Sequence, residues 1–139
     1  MAVLIEKVSD GEGKSTKVLV DRVTLYKRRW RATAIDGTEL AVALDDPAKD
    51  GQTLESADGR RFLIEQTEES IVSIPLPQST KMAAQVGWYL GNQHLPVEVR
   101  EEEILLEEIE TLKASLKRIG IPFKTRVDVF RCKMHSHQH

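Results

Sequence analysis

Two nearby prolines, Pro75 and Pro77, divide this chain into halves of different character. Proline lacks a backbone N–H group, so a pair this close is incompatible with the middle of a hydrogen-bonded sheet. The chain has 139 residues, which is enough for two small domains. We therefore predict a domain boundary here, with one domain over residues 1–74 and a second over residues 75–132.

The first half carries the signals of short, tightly connected strands. A β-branched stretch runs from Val18 to Leu25, and the pairs Asp36-Gly37 and Asp58-Gly59 each separate two apolar-rich runs. Both positions of an Asp-Gly pair tolerate positive φ, which the tightest hairpin turns require. Strands and turns spaced this closely are typical of a small β-sandwich or barrel, and we predict that fold for residues 1–74.

The second half adds helices between its strands. Ser79 is a suitable N-cap for a helix over residues 80–90, and Gly91 is placed to end that helix in the left-handed conformation. An apolar stripe at helical spacing predicts a second helix over residues 107–119, ended by Gly120. With strands before, between and after the helices, the order is βαββαβ, which is typical of a ferredoxin-like domain. The predicted class is therefore α+β.

Composition excludes several classes of partner. With 20 basic and 22 acidic residues the formal net charge is -2, so no overall field favours nucleic acid or an anionic membrane, and we expect neither. No apolar run approaches the length of about 20 residues that crosses a bilayer. The single cysteine, Cys132, can form no intrachain disulfide. These features predict a cytoplasmic protein.

The histidines occupy only two places in the chain. His94 stands alone after the first predicted helix, and His135, His137 and His139 alternate at the C-terminus. Neutral imidazole is a ligand for nickel, zinc and copper. In an extended chain the three terminal imidazoles project to one side, and we predict that residues 133–139 form a flexible tail able to fold around an ion. All four histidines are therefore candidate metal ligands.

Each histidine group also has a simpler interpretation. His94 could cap the C-terminal end of its helix and interact with the helix dipole. The terminal histidines could be an expression scar or a tail without a function. Cys132 lies beside them and is either a strand-end residue or an auxiliary ligand, because thiolate favours Cu(I) and Zn(II).

A basic run in the first half has two interpretations as well. Arg28, Arg29, Trp30 and Arg31 are consecutive. An arginine-rich run with one aromatic residue is typical of a solvated strand face, and it could equally be a surface on which a protein partner docks. The sequence leaves both open.

The segment around His94 carries the most specific pattern. Gly91 to Pro96 reads Gly-Asn-Gln-His-Leu-Pro and closes the predicted helix. This Gly-Asn-x-His-x-Pro pattern, together with the Asp-Gly hairpins, the βαββαβ second half and the histidine-bearing C-terminus, resembles the UreE family of urease accessory proteins, which are nickel metallochaperones. The resemblance covers nearly the whole chain.

The resemblance implies a cytoplasmic homodimer that carries Ni(II) as cargo to apo-urease, working with further accessory proteins that include a GTPase. It implies a peptide-binding first domain and a metal-binding ferredoxin-like second domain. His94 would lie near the dimer interface, where two copies hold one ion. The resemblance assigns a metal-binding role to the tail histidines less closely than to His94. Zn(II) or Cu(II) can substitute in vitro, because imidazole sites follow the Irving–Williams order.

One departure from the family limits where further ligands can lie. Some members carry an additional His-x-His in the segment that matches residues 104–107, where this chain has Ile-Leu-Leu-Glu. Any auxiliary site must therefore use the tail. The short tail also argues against storage of many nickel ions.

Two other functions remain to be weighed against metal delivery. A peptide-binding adaptor, or a general buffer of divalent metals without delivery to urease, would fit the same composition. An enzyme is not expected, because the sequence contains no Gly-x-Ser-x-Gly, phosphate-binding Walker loop or His-Glu-x-x-His motif.

Overall fold

The computed structural model describes residues 1–11 and 13–132. Over these residues the chain is α+β, with strands gathered into two sheets. The elements in chain order are β1 Val3–Val8, β2 Thr16–Val20, α1 Arg22–Leu25, β3 Arg29–Thr33, β4 Glu39–Ala43, β5 Thr53–Ser56, β6 Arg61–Gln66, β7 Glu69–Pro75, α2 Thr80–Gly91, β8 Val97–Val99, β9 Glu103–Glu107, α3 Glu110–Ile119 and β10 Lys124–Asp128.

Both predicted Asp-Gly hairpins are confirmed. Strands β3 and β4 pair antiparallel across the first, with Thr33 opposite Glu39. Strands β5 and β6 pair antiparallel across the second. Gly37 and Gly59 have φ values of 90° and 89°, a region that glycine enters without the steric cost a side chain would bring. The hairpin turns therefore depend on these glycines.

The first compact unit, Met1–Thr67, contains one six-stranded sheet in the order β2-β6-β5-β1-β4-β3. It is mixed, because β1 runs parallel to β4 and β2 runs parallel to β6. The two edges of the sheet approach each other, since the N–H of Ile35 donates to the carbonyl of Lys17 at 2.9 Å. Alternate side chains from these strands form an apolar core whose larger members include Ile5, Trp30, Leu40, Leu54, Phe62 and Ile64.

The β-branched stretch from Val18 to Leu25 is not all strand. β2 ends at Val20, and Asp21 caps the short helix α1 by accepting a hydrogen bond from the N–H of Thr24 at 2.7 Å. An aspartate at the N-cap satisfies a backbone donor that β-propensity alone does not consider. The cap therefore overrides the local strand preference of Val23.

The second compact unit begins at Glu68, earlier than the boundary predicted at Pro75. The reason is β7, which lies before the two prolines yet pairs with β9 and β10 of the second sheet. The prolines fall at the end of β7 and beyond it, so they terminate a strand of the second unit and do not separate the units.

The second unit has the predicted order of elements, strand, helix, strand, strand, helix, strand. Its sheet has the order β10-β7-β9-β8, and every neighbouring pair is antiparallel. Both long helices pack on one face of this sheet. The buried core between the helices and the sheet consists of Val72, Ile74, Leu90, Ile104, Leu106, Leu112 and Leu116.

Two of the predicted helix ends are confirmed. The side chain of Ser79 accepts a hydrogen bond from the N–H of Met82 at the start of α2. Gly120 ends α3 in the left-handed conformation, with φ of 79°. The start of α3 differs, because Glu107 is still in β9 and the helix begins at Glu110.

Candidate metal centre

The end of α2 places His94 in an unusual backbone conformation. Gly91 was predicted to take the left-handed conformation, and this is wrong. The residue after it, Asn92, is still right-handed, with φ of -71° and ψ of -15°. The chain tightens over the next residues, where the N–H of Gln93 donates to Leu90 at 3.1 Å and that of His94 donates to Gly91 at 3.3 Å. The left-handed residue is His94 itself, with φ of 56°.

His94 is the only non-glycine residue with positive φ in the described part of the chain. For a residue with a side chain this conformation costs on the order of 1 kcal/mol. Histidine tolerates it better than most residues but less well than glycine. A strained position occupied by a chemically capable side chain points to a functional reason for the histidine.

The rest of the turn fixes where the imidazole lies. Leu95 and Val97 pack against the core of the second unit, and Pro96 between them restricts φ. His94 itself is exposed. Its bond to the helix runs through the backbone N–H, so closing the helix does not require the ring. The turn therefore presents an imidazole to solvent from a rigid base.

The described residues of one protomer do not by themselves assemble a metal site around His94. Among residues 1–11 and 13–132 no cluster of three or more histidine, cysteine, aspartate or glutamate side chains could hold an ion. The tail histidines, His135, His137 and His139, lie outside the described residues. Among the described residues the candidate ligand here is thus a single imidazole.

An exposed tryptophan lies six residues before His94, in the last turn of α2. Trp88 is 72% exposed on α2, and its carbonyl accepts a hydrogen bond from the N–H of Asn92. The surrounding outward positions Ala84, Gly87 and Gly91 are small and also exposed. Trp88 was not among the residues predicted from the sequence. It falls outside the apolar stripe of its helix, which consists of Met82, Val86 and Tyr89. A large apolar side chain out of phase with its own helix is the signal that could have found it.

The side chains of the basic run, residues 28–31, do not all lie on one face, because successive side chains of strand β3 point to opposite sides of the sheet. Arg29 and Arg31 are exposed on this edge strand, and Arg28 just before it is exposed as well. Trp30 points the other way into the core and is only 7% exposed. A partner surface here would therefore consist of the arginines without Trp30.

Charged side chains form a network on the helix-free face of the second sheet. The guanidinium of Arg126 makes two hydrogen bonds to Glu103, at 2.7 and 2.9 Å, and two to Asp128, at 3.0 and 3.2 Å. Hydrogen bonds from Arg126 and then from the Ser73 hydroxyl hold the pKa of Glu103 below its ordinary value. Burial acts to raise the pKa of Asp128, but hydrogen bonds from Arg126, the Val129 N–H and Arg100 outweigh it and lower that pKa.

Comparison with known proteins decides the family. Residues 69–139 match the family model described as UreE urease accessory protein, C-terminal domain. The urease accessory protein UreE of Staphylococcus carnosus is 32% identical over 128 residues, which cover 87% of this chain and 84% of that protein. The chain belongs to the UreE family of urease accessory proteins.

Further UreE relatives extend the match along the chain. The Staphylococcus saprophyticus UreE is 30% identical over 141 residues, covering 96% of this chain and 93% of that protein. The Azorhizobium caulinodans UreE is 32% identical, and there the match covers 81% of this chain but only 57% of the longer relative. The resemblance inferred from the His94 motif is thereby confirmed.

Membership of the UreE family also confirms that the chain is not an enzyme, because the family consists of accessory chaperones. In the part of the chain that the structure describes, no helix is both long and apolar enough to cross a membrane. Cys132, the predicted auxiliary ligand, is buried and only 8% exposed.

Proposed function

We propose that this chain is a nickel metallochaperone that binds Ni(II) through His94 at a homodimer interface and delivers it to apo-urease. The UreE relatives are urease accessory proteins by name, which supports a role in urease maturation in the cytoplasm. The left-handed, exposed His94 is the single observation that carries the metal-binding part of the proposal. Further urease accessory proteins, including a GTPase, would be its partners.

A second copy of the chain would supply a donor that the described residues of one protomer do not. A single imidazole holds a divalent ion weakly, and a two-fold axis beside His94 would bring in its mate, because each residue of an isologous interface meets the same residues of the other copy. The exposed Trp88 supports an interface at this end of α2. Tryptophan is enriched in the centres of protein interfaces, where it loses its contact with water.

The tail histidines would complete the ligand set. His135, His137 and His139 add up to three imidazoles per protomer, and a site with some exchangeable positions suits a carrier that must release its ion. The terminal donors pay an ordering cost on binding, so the tail contributes less than a preformed group would. Cys132 is an auxiliary donor only if its buried thiol becomes accessible.

We further propose that the second unit is a ferredoxin-like domain. The order of elements supports this, as does the antiparallel sheet β10-β7-β9-β8 with both helices on one face. In such a unit His94 lies in the connection from α2 to the edge strand β8, beside a sheet edge that a second copy can approach.

Equilibrium dialysis of the full chain against Ni(II) tests the proposal. We compare the wild type with His94→Asn, because asparagine tolerates the left-handed conformation but is a much poorer nickel ligand. Gln93→Asn, at the exposed neighbouring position, is the matched control. The proposal expects a weaker nickel affinity in His94→Asn alone, and an unchanged stoichiometry and affinity in that variant would contradict it.

A second candidate, a peptide-binding adaptor, is favoured by the first unit. Arg29 and Arg31 are exposed on β3, which is an edge of the six-stranded sheet. An acidic peptide could add to such an edge through backbone hydrogen bonds. Partner capture that persists in His94→Asn and in a variant with all three tail histidines changed to alanine would favour this function. Loss of all partner capture in the presence of a chelator would exclude it as the sole function.

A further inference from the structure

Strand β10 forms an outer edge of the second sheet and is exposed along most of its length. Its inner side pairs antiparallel with β7, from Lys124 opposite Ser73 to Asp128 opposite Glu69. In the sheet order β10-β7-β9-β8 no strand of the described residues lies on its other side, and four of its five residues are exposed. The outward N–H and C=O groups of β10 are therefore available to pair with an added strand.

A groove lies beside this edge, between β10 and the C-terminal half of helix α3. Its volume is about 500 Å³, and its lining consists of Lys113, Lys117, Ile121, Pro122, Phe123 and Thr125. Ile121 and Phe123 pack against the core of the second unit, so buried apolar contacts fix part of the groove wall. A strand added to β10 would place alternate side chains toward this groove.

The two faces of β10 differ in chemistry. Thr125 and Val127 alternate with Lys124 and Arg126, so the first two share the helix-covered face and the other two share the helix-free face. Side chains of neighbouring strands that point the same way lie side by side and interact. An added strand therefore matches β10 when β-branched apolar residues face the groove and acidic residues lie beside Lys124.

The charge around this edge is one-sided. Residues 111–127 contain five basic residues and no acidic residue. Two of the five already have partners: Lys113 pairs with Glu110 at 2.8 Å, and Arg126 pairs with Glu103 at 2.7 Å. The charge of the other three is not compensated in this way.

Those three residues are Lys117, Arg118 and Lys124. All are exposed, and within the ranges 1–11 and 13–132 no ion pair neutralises them. Lys117 lines the groove and Lys124 begins the strand, so the positive charge lies along the same edge as the unpaired backbone groups. A second copy of this chain would bring the same cations to that edge. Charge therefore favours an acidic partner over pairing of β10 with itself.

We propose that the outer edge of β10, with the groove beside it, docks an extended segment of a partner protein in which acidic residues alternate with β-branched apolar residues. Backbone hydrogen bonds to the edge would supply much of the affinity, and the groove would select the side chains, as in other cases of strand addition. Lys117 and Lys124 would attract the acidic side chains and fix the register.

This inference goes beyond metal binding and does not depend on it. β10 and β8 are opposite edges of the sheet, three strand spacings or about 14 Å apart. His94 lies in the connection that leads into β8. A partner bound along β10 would therefore leave the turn that carries His94 free, and His94→Asn should bind such a partner as the wild type does.

Fluorescence anisotropy with a defined probe tests the proposal. The probe is a fluorescein-labelled peptide of sequence Glu-Val-Glu-Val-Glu-Val-Glu, titrated with the full-length protein at low salt. Lys117→Glu combined with Lys124→Glu should weaken binding roughly tenfold or more, because two attractive pairs become repulsive. Lys49→Glu combined with Lys81→Glu, at two exposed lysines away from the groove, is the charge-matched control. Equal weakening in both double variants would overturn the proposal, as would no binding of the probe.

Two methylated forms of the probe test for backbone pairing. Each carries N-methyl groups on alternate backbone amides, in one of the two possible phases. Only one phase blocks the amides that face β10, because successive N–H groups of a strand point to opposite sides. One form should therefore bind much more weakly than the other. Equal affinities would show that the peptide is held by charge alone and would refute strand addition.

Amide chemical shifts locate the bound peptide. The largest changes should fall on residues 124–128, whereas changes confined to β3 would assign the peptide to the edge of the first sheet and overturn the proposal. Sedimentation velocity tests the remaining occupant, a second copy of the chain. Lys117→Glu combined with Lys124→Glu should keep the oligomeric state of the wild type, and a change in that state would identify the edge as a contact between copies.

Discussion

Gly91 and His94 exchange the conformations that their residue types favour. Gly91 stays within helix α2, whereas His94, whose N–H donates to the carbonyl of Gly91 at 3.3 Å, takes the left-handed conformation with φ of 56°. Glycine would occupy the left-handed position at lower cost. The left-handed histidine lowers local stability, and it places an imidazole at a defined position beyond the end of the helix.

Replacing His94 with glycine should therefore stabilise the metal-free protein. Relief of the left-handed strain favours the folded state by up to about 1 kcal/mol, partly offset by the greater freedom of glycine in the unfolded chain. Urea unfolding in a chelator measures the change. A clear loss of stability in His94→Gly would show that the histidine side chain supports the fold and is not strained.

Gly91→Ala should stabilise the protein by roughly 0.5–1 kcal/mol, because alanine is the better residue inside a helix. No atom lies within 4 Å of a Cβ built at Gly91. Gly120→Ala is the matched control, since Gly120 has the same open space but φ of 79°, and it should destabilise the protein. Urea unfolding of both variants checks the contrast, and similar losses in the two would contradict the right-handed assignment of Gly91.

We expect Trp88→Ala to convert the proposed homodimer to a monomer while the fold is retained. The side chain is 72% exposed in one protomer, so its removal leaves no cavity there, whereas an interfacial tryptophan can contribute more than 2 kcal/mol to association. Sedimentation velocity, with circular dichroism for the fold, measures both effects. Val127→Ala, on β10 and 60% exposed, is the control. A Trp88→Ala protein that dimerises as the wild type does would place the interface elsewhere.

Acid should weaken the second unit through Glu103 and Asp128. Their pKa values are lowered in the folded protein, so their contribution to stability is present above the ordinary carboxyl range. It is lost from about pH 5 downward, as the pH falls through the folded pKa values. Glu103→Gln should make the free energy of unfolding fall less steeply with acid over about pH 6 to pH 3, the range in which these carboxylates become protonated. Equal slopes in the variant and the wild type would contradict the role of the Arg126 network.

Local signals predicted much of this fold. The two Asp-Gly hairpins, the Ser79 cap, the Gly120 stop and the order of elements in the second unit all follow from turn and cap chemistry between near neighbours in sequence. Such features depend on a few adjacent residues, so the sequence displays them directly. The resemblance to the UreE family was likewise visible in local features, above all the short segment around His94.

The features that were missed depend on contacts between distant parts of the chain. The boundary falls before β7 because that strand pairs with β9 and β10, which no property of Pro75 reveals. The hydrogen bond from the N–H of Arg131 to the carboxylate of Glu98, at 2.7 Å, likewise depends on where the chain returns after β10. The exposure of Trp88 likewise depends on which face of α2 meets the sheet.

We propose above all that two copies of His94 converge on one nickel ion. Diffraction from nickel-soaked crystals of the full-length protein, recorded at the nickel absorption edge, tests it most directly. We expect an anomalous peak on the two-fold axis between the paired His94 rings, with one such peak per dimer. Two His94 rings turned apart, with no anomalous density between them, would contradict it.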